Sequence, residues 1–68
     1  MDRLFTVKQA RQMADKTQKE MANLLEIHEN TYRRLEHHPE KISLVQAKRI
    51  SEITKISLDN IFFDNSST

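Results

Sequence analysis

The chain has 68 residues, a formal net charge of +1, and neither cysteine nor glycine. A chain this short forms one small domain without room for a large catalytic cleft, and a sequence without cysteine has no disulfide framework. No apolar stretch approaches the length of a membrane span and the N-terminus lacks the apolar core of a signal peptide, so we expect a cytoplasmic location.

Two helices are predicted in the first third of the chain. Apolar residues at three- and four-residue spacing predict an amphipathic helix over about residues 4–15. These residues are Leu4, Val7, Ala10, Met13 and Ala14. Thr17 and Glu20 form a capping box, in which the side chain of each residue accepts a hydrogen bond from the backbone amide of the other. A second helix is therefore predicted to begin at Gln18, with an apolar stripe formed by Met21, Ala22 and Leu25.

A third helix is predicted after a turn at residues 26–28. It covers roughly residues 29–37, and the residues that resume helical spacing there are Thr31, Tyr32 and Leu35. Pro39 has no amide donor and disfavours helical angles at the residue before it. We therefore expect a loop between this helix and the next.

Two further helices complete the prediction. Ser43 and Gln46 form another capping box, which predicts a fourth helix over about residues 44–54. Ser57 is expected to cap a short fifth helix that contains Leu58, Ile61, Phe62 and Phe63. No segment alternates with period two for more than a few residues, so no strand is predicted. The predicted fold class is all-α, a compact five-helix domain over residues 1–63 followed by a polar tail at residues 64–68.

The second and third predicted helices have the pattern of a helix-turn-helix. Such a motif needs a small residue where the helices cross, here Ala22, and apolar anchors along both helices. The anchors after the crossing are Ile27, Tyr32 and Leu35. Any one of these features is common in helical bundles, and their combination is what favours the motif. The opposite face of the third helix then presents Glu29, Asn30, Arg33, Arg34 and His37, which can enter a major groove.

These segments resemble the Cro/CI-type helix-turn-helix family, the lambdoid phage repressor-like domains of the XRE family. The resemblance is carried by residues 10–11, 17–22, 25–27 and 31–36, and it extends to residues 57–62. It implies that Gln18, the first residue of the second helix, contacts phosphate or an adjacent side chain, and that Glu29 and Asn30 lie in the turn that reads bases. It also implies a pairing of Arg11 with Glu36.

The chemistry of the exposed side chains distinguishes their expected roles. An Asn amide can donate to and accept from adenine, and an Arg fork matches the two acceptors of guanine, so Asn30 and Arg34 are the leading candidates for base reading. Arg33 can read a base or meet a phosphate. Glu29 either accepts from a cytosine amino group or pairs with Arg33 four residues on. The complete set of expected DNA-binding residues is Thr17, Gln18, His28, Glu29, Asn30, Thr31, Arg33, Arg34 and His37.

Four residues depart from the family pattern, and one of them, Lys16, stands where an apolar residue is common. Glu26 and Lys55 occupy turns where many members have glycine, and a left-handed backbone there costs another residue about 1 kcal/mol. His28 stands where Ser or Thr usually caps the recognition helix, which leaves the cap to the imidazole ring or to water unless His28 contacts a phosphate.

The adjacent aromatic residues Phe62 and Phe63 cannot both face one small core from a short helix. We expect one to close the monomer and the other, together with Leu58, to contact a second copy in a two-fold dimer. In such a dimer the recognition helices would lie about 34 Å apart, one turn of DNA. The alternative, in which Phe63 packs against the first helix, stays open.

Other kinds of site have little support in the sequence. His37 and His38 are adjacent and point in different directions, without a carboxylate at a metal-binding spacing. The serines and threonines mostly lie at helix caps, and there is no glycine-rich phosphate loop. We therefore expect no enzyme activity, metal, cofactor or small-molecule ligand. Tyr32 is in phase with Ile27 and Leu35, which favours a core position over stacking on a base.

The sequence thus predicts a sequence-specific DNA-binding regulator, a repressor that binds a short inverted repeat in double-stranded DNA as a homodimer. The net charge of +1 is low for a nucleic-acid binder, and residues 33–41 are only mildly basic. This leaves open an ordinary solvated surface of mixed charge. It also leaves open a protein-interaction module, such as an antitoxin or anti-repressor component, that uses the surface of the fifth helix.

Overall fold

The computed structural model describes residues 4–63. Its elements are β1 (Phe5–Thr6), α1 (Val7–Met13), α2 (Gln18–Leu25), α3 (Glu29–His37), α4 (Leu44–Thr54) and β2 (Ile61–Phe62). Short 3-10 turns at Pro39–Lys41 and Leu58–Asn60 precede and follow α4. The predicted polar tail at residues 64–68 lies outside the described residues.

Three of the four α-helices begin with a capping box. The boxes predicted for α2 and α4 are present, and a third one at the start of α1 was missed; the pairs are Thr6 with Gln9, Thr17 with Glu20, and Ser43 with Gln46. Each box satisfies two backbone amides that the first turn of a helix leaves without intrahelical partners. The starts of α2 and α4 follow the prediction closely for this reason.

The predicted first helix was too long. It was expected over residues 4–15, whereas α1 begins at Val7 because Thr6 adopts an extended backbone and caps it. The helix ends before Asp15, which has a left-handed backbone with φ of 57°. Leu4 and Met13, expected on the core side, are therefore 54% and 60% exposed.

The predicted fifth helix is wrong. The residues after Ser57 make a single 3-10 turn, in which the Ser57 hydroxyl accepts from the amide of Asp59 at 3.3 Å. The chain then extends into β2, which pairs in parallel with β1 so that Ile61 lies opposite Phe5. Residues 4–63 thus contain four α-helices and one two-stranded sheet, not five helices without strands. Strands of two residues are too short to show period-two alternation in the sequence.

The turns at Glu26 and Lys55, which were predicted to need a left-handed backbone, both adopt it. Glu26 ends α2 with φ of 60° and Lys55 ends α4 with φ of 63°. Neither is glycine, so each turn carries the conformational cost expected from the sequence, about 1 kcal/mol.

The core lies where α1, α2, α3 and α4 meet the small sheet. Its buried members are Val7, Ala10, Met21, Ala22, Tyr32, Ile50 and Ile61. Ala22 is 1% exposed, which confirms it as a small buried residue of the helix-turn-helix, and Ile27 packs against the cluster from the turn. Within residues 4–63, no helix has the length and apolar character that crossing a membrane requires.

Candidate nucleic-acid interface

Helix α3 turns one face to the core and the other to solvent. Tyr32 is fully buried and Leu35 is 8% exposed, as the helical phase predicted. The exposed residues of the helix are Asn30, Thr31, Arg33, Arg34 and His37. Of the polar side chains predicted to bind DNA, Gln18 and Glu29 are partly buried and the others are exposed.

A buried carboxylate at the C-terminal end of α3 holds the helix against α1 and α2. Glu36 Oε2 accepts from Arg11 Nε and from the Tyr32 hydroxyl, both at 2.6 Å, and Glu36 Oε1 accepts from Gln18 Nε2 at 3.0 Å. The Glu36 side chain is 4% exposed and that of Arg11 is 11% exposed. The pairing of Arg11 with Glu36 implied by the family resemblance is present, and the same Arg11 also donates to the carbonyl oxygen of Lys16 at 2.9 Å.

The protonation equilibria of this cluster follow from its geometry. Burial raises the pKa of Glu36, but hydrogen bonds from Arg11, Tyr32 and Gln18 outweigh it, so the net pKa is lowered. The hydrogen bond to Glu36 raises the pKa of Arg11. Burial and then the nearby carboxylate raise the pKa of Tyr32. The carboxylate and the guanidinium are therefore both charged at neutral pH.

The Glu36 cluster continues to the outer surface of α3 through Gln18 and Arg33. Gln18 Oε1 accepts from Arg33 Nε at 3.2 Å. Arg33 Nη2 donates to Glu29 Oε2 at 2.8 Å, and Arg33 Nη1 donates to Asn30 Oδ1 at 3.1 Å. Gln18 therefore contacts adjacent side chains, one of the two contacts the family resemblance allowed. The pair of Glu29 and Arg33, which the sequence left as an alternative to base reading, is formed.

The remaining predicted site residues are not joined to this network. Thr31, Arg34 and His37 make no side-chain hydrogen bond within residues 4–63. His28 is the N-cap of α3 and makes no side-chain capping bond, as expected from its departure from Ser or Thr. The Thr17 hydroxyl accepts from the amide of Glu20 at 3.0 Å, so its observed contact is a cap.

The ion pairs determine which charges of α3 are compensated by a neighbouring side chain. Glu36 is paired with Arg11, and Glu29 is paired with Arg33. Arg34 has no acidic partner within residues 4–63. With both pairs neutral, Arg34 leaves the exposed face of α3 with one uncompensated positive charge.

The three residues predicted to form a dimer contact differ in burial. Phe62 is 36% exposed, while Leu58 and Phe63 are partly buried, and Phe63 packs against the core cluster. Within β2, Ile61 is 4% exposed and Phe62 is 36% exposed, because successive side chains of a strand point to opposite faces. Leu44 and Val45, at the start of α4, are 67% and 73% exposed. Leu44 was expected on the apolar stripe of this helix with Ala47, Ile50 and Ile53, so its exposure departs from the prediction.

The histidines lie apart from any metal-binding cluster among the described residues, where no three His, Asp or Glu side chains come together. His38 Nδ1 lies 3.6 Å from Glu40 Oε2, next to the 3-10 turn.

The sequence did not predict the contacts of Tyr32 and Gln18 with Glu36. Tyr32 was predicted as a core residue, which its burial confirms, but its hydroxyl was given no partner. The i,i+4 spacing of Tyr32 and Glu36 on one helix was the available signal. The contact of Gln18 with Glu36 joins different helices, so no local spacing indicates it.

Two helices that cross at a small residue, the second with an exposed polar face, define the helix-turn-helix class of DNA-binding domains. The family model described as helix-turn-helix matches residues 7–61. The chain belongs to this family, in its Cro/CI type, and is a DNA-binding transcriptional regulator of that class. Comparisons with curated proteins and with solved structures found no significant match.

Proposed function

We propose that this protein is a sequence-specific repressor that inserts α3 into the major groove of a short inverted repeat. The observation that carries the proposal is the exposed polar face of α3, whose buried side is fixed by Tyr32 and Leu35. Arg34, exposed and without an acidic partner within residues 4–63, is suited to the two acceptors of guanine. The Asn30 amide is the second base reader we propose.

The other side chains near this face have supporting roles in the proposal. Thr17, His28 and His37 are exposed around α3 and would contact phosphates, which fixes orientation without reading sequence. Thr31 is also exposed and would lie at the side of the groove. Double-stranded DNA as the partner implies a cytoplasmic location.

The test of DNA recognition is selection from a randomised duplex pool, followed by anisotropy titrations at two salt concentrations. The parent is expected to select one sequence and to bind it more weakly as salt rises. Asn30→Ala and Arg34→Ala are expected to lose preference at one base pair each, by about 1–3 kcal/mol. Lys48→Ala, which removes an exposed charge on α4, serves as the matched control.

The DNA-recognition proposal fails if the folded parent binds no duplex at low salt. It also fails if Lys48→Ala changes sequence preference as much as the α3 variants do. The first result would favour the alternative of a protein-interaction module.

The proposed dimer has its own support in Phe62, which is partly exposed on β2 beside Leu58 and Phe63. Sedimentation of the protein with its selected duplex measures the stoichiometry. Two copies per inverted repeat are expected for the parent, and a weakened second binding step is expected for Phe62→Asp. A larger loss in Val45→Asp, at the more exposed apolar position, would move the dimer contact to the start of α4.

Repression by occupancy is the simplest mechanism for a domain of this kind, since a protein bound across a promoter blocks polymerase. Transcription in vitro from a promoter that overlaps the selected site should fall as the protein is added. A rise in transcript from that template would reverse the proposed sign of regulation.

A further inference from the structure

The guanidinium of Arg33, on the exposed face of α3, is fixed by hydrogen bonds to three neighbouring side chains. All three of its guanidinium nitrogens donate to neighbouring side chains, to Gln18 Oε1, Asn30 Oδ1 and Glu29 Oε2. The Gln18 amide is itself fixed, because its nitrogen donates to the buried Glu36. The guanidinium is thus held between the first residue of α2 and the first turn of α3, although half of its side chain is exposed.

This contact changes what the Asn30 amide offers to a base. An Asn that reads adenine uses its carbonyl oxygen to accept from the adenine amino group and its nitrogen to donate to the ring. Here Asn30 Oδ1 already accepts from Arg33 Nη1 at 3.1 Å. The oxygen has a second lone pair, but an amino group that used it would bring its hydrogens close to a guanidinium. The amide nitrogen keeps two donors.

The guanidinium of Arg33 adds further N–H donors next to the Asn30 amide. A guanidinium has five N–H groups and accepts no hydrogen bond. The three contacts described above use three of these groups, so two N–H groups remain as donors on the guanidinium next to the Asn30 amide. Asn30 and Arg33 together present a surface of hydrogen-bond donors.

We propose that Arg33 is a specificity-determining positioning residue that makes Asn30 select guanine rather than adenine. Guanine presents two acceptors, N7 and O6, in the major groove, whereas adenine presents one acceptor and one amino donor. The inference rests on the proposed function, in which α3 lies in the major groove. It replaces the adenine pairing expected for Asn30 from the sequence alone.

The decisive variant is Glu29→Met combined with Arg33→Met, because methionine at residue 29 adds no amide that could itself read adenine. Arg33→Met alone removes the donors but leaves Glu29 as an unpaired carboxylate that repels phosphate, so affinity and base preference would change together. The combined variant keeps the local net charge. Lys48→Met, on the exposed side of α4, controls for the loss of one positive side chain. Far-UV circular dichroism checks that each variant is folded.

The measurement is competition binding with duplexes that carry each base in turn at the position whose preference is lost in Asn30→Ala. The parent and Lys48→Met should prefer guanine over adenine at that position by at least about fivefold. The combined variant should reverse this order and prefer adenine, because the Asn30 oxygen is then free to accept. A merely structural role for Arg33 would lower affinity for all four duplexes without changing their order.

Three results would overturn the inference while leaving DNA recognition intact: a parent that prefers adenine, a combined variant that still prefers guanine, or an Asn30→Ala variant with no altered position. If the folded parent shows no sequence preference at all, the proposed function fails and this inference fails with it.

Discussion

Replacing Glu36 with glutamine tests the buried cluster that holds α3 in place. Glutamine keeps the size of the side chain and one acceptor oxygen, which can replace the Oε2 that accepts from Arg11 and Tyr32. It removes the charge and puts an amide donor at Oε1, where Gln18 donates. A hydrogen bond to a charged group contributes about 1.5–3 kcal/mol, and bonds within one network do not add. The glutamine oxygen can keep the two bonds at Oε2, but both lose the charge of their acceptor and the bond from Gln18 is lost. We therefore expect Glu36→Gln to lower the free energy of unfolding by about 2–3 kcal/mol.

That loss is large for a domain of this size. Total stabilities of about 0.05–0.15 kcal/mol per residue correspond to roughly 3–10 kcal/mol for a chain of 68 residues. An apolar replacement such as Glu36→Leu would leave the Arg11 charge buried without its partner, at a cost of about 3–5 kcal/mol, and could unfold the protein outright. Glutamine is therefore the variant to measure.

The assay is urea unfolding followed by far-UV circular dichroism, at neutral pH and at several acidic pH values. The pKa of Glu36 is lowered in the folded protein, so the stability it contributes is present above the unfolded pKa, about 4.3, and is lost as the pH falls through the folded pKa. The difference between the parent and Glu36→Gln should therefore be largest at neutral pH and shrink in acid. Glu52→Gln, at an exposed position on α4, is the matched control.

Two results would refute this reasoning. One is equal stability of Glu36→Gln and Glu52→Gln at neutral pH, and the other is a parent-to-variant difference that stays constant into acid.

Three further stability predictions follow from the backbone, the caps and the core. Lys55→Gly should raise the melting temperature and add about 0.5–1 kcal/mol, because φ of 63° favours glycine, while the control Lys48→Gly inside α4 should lose a similar amount; equal effects at the two positions would contradict the strain at Lys55. His28→Ser should add about 0.5–2 kcal/mol in urea unfolding by supplying the cap that α3 lacks, and a loss of stability would mean that the histidine has a contact of its own. Tyr32→Phe should lower the unfolding free energy by about 1.5–3 kcal/mol, because it removes the bond to Glu36 from a fully buried ring, and an unchanged value would show that this bond contributes nothing net.

The parts of the fold that could be predicted are those that depend on local signals. The capping boxes at Thr17 and Ser43 gave the starts of α2 and α4, because the capping geometry involves residues only three apart. The left-handed turns at Glu26 and Lys55 followed from the family pattern. The register of α3 followed from the spacing of Tyr32 and Leu35.

The errors concern the two ends of the described chain. The parallel pairing of β1 with β2 joins residues more than fifty positions apart, and a backbone contact of this kind leaves no trace in the spacing of apolar residues. That pairing fixes Thr6 as the cap of α1 and extends the chain at Phe62, so one long-range contact accounts for both the shorter first helix and the missing fifth helix.

At the candidate site, residue type and helical phase predicted which side chains are exposed but not how they contact one another. Glu29 and Arg33 are four residues apart, so their pairing was foreseen as one of two alternatives. The contact of Arg33 with Gln18 depends on the angle between α2 and α3 and could not be foreseen. The expected base preference of Asn30 is changed by the bond that its Oδ1 accepts from Arg33, whose guanidinium the Gln18 contact helps to hold.

The central claim is that the exposed face of α3 contacts DNA, and nuclear magnetic resonance of the isotope-labelled protein titrated with its selected duplex tests it most directly. The largest shift changes are expected at the Asn30 side-chain amide and the Arg34 guanidinium, with smaller changes at Gln18 and little change along the exposed side of α4. Changes centred on residues 58–63, with α3 unaffected, would contradict the claim.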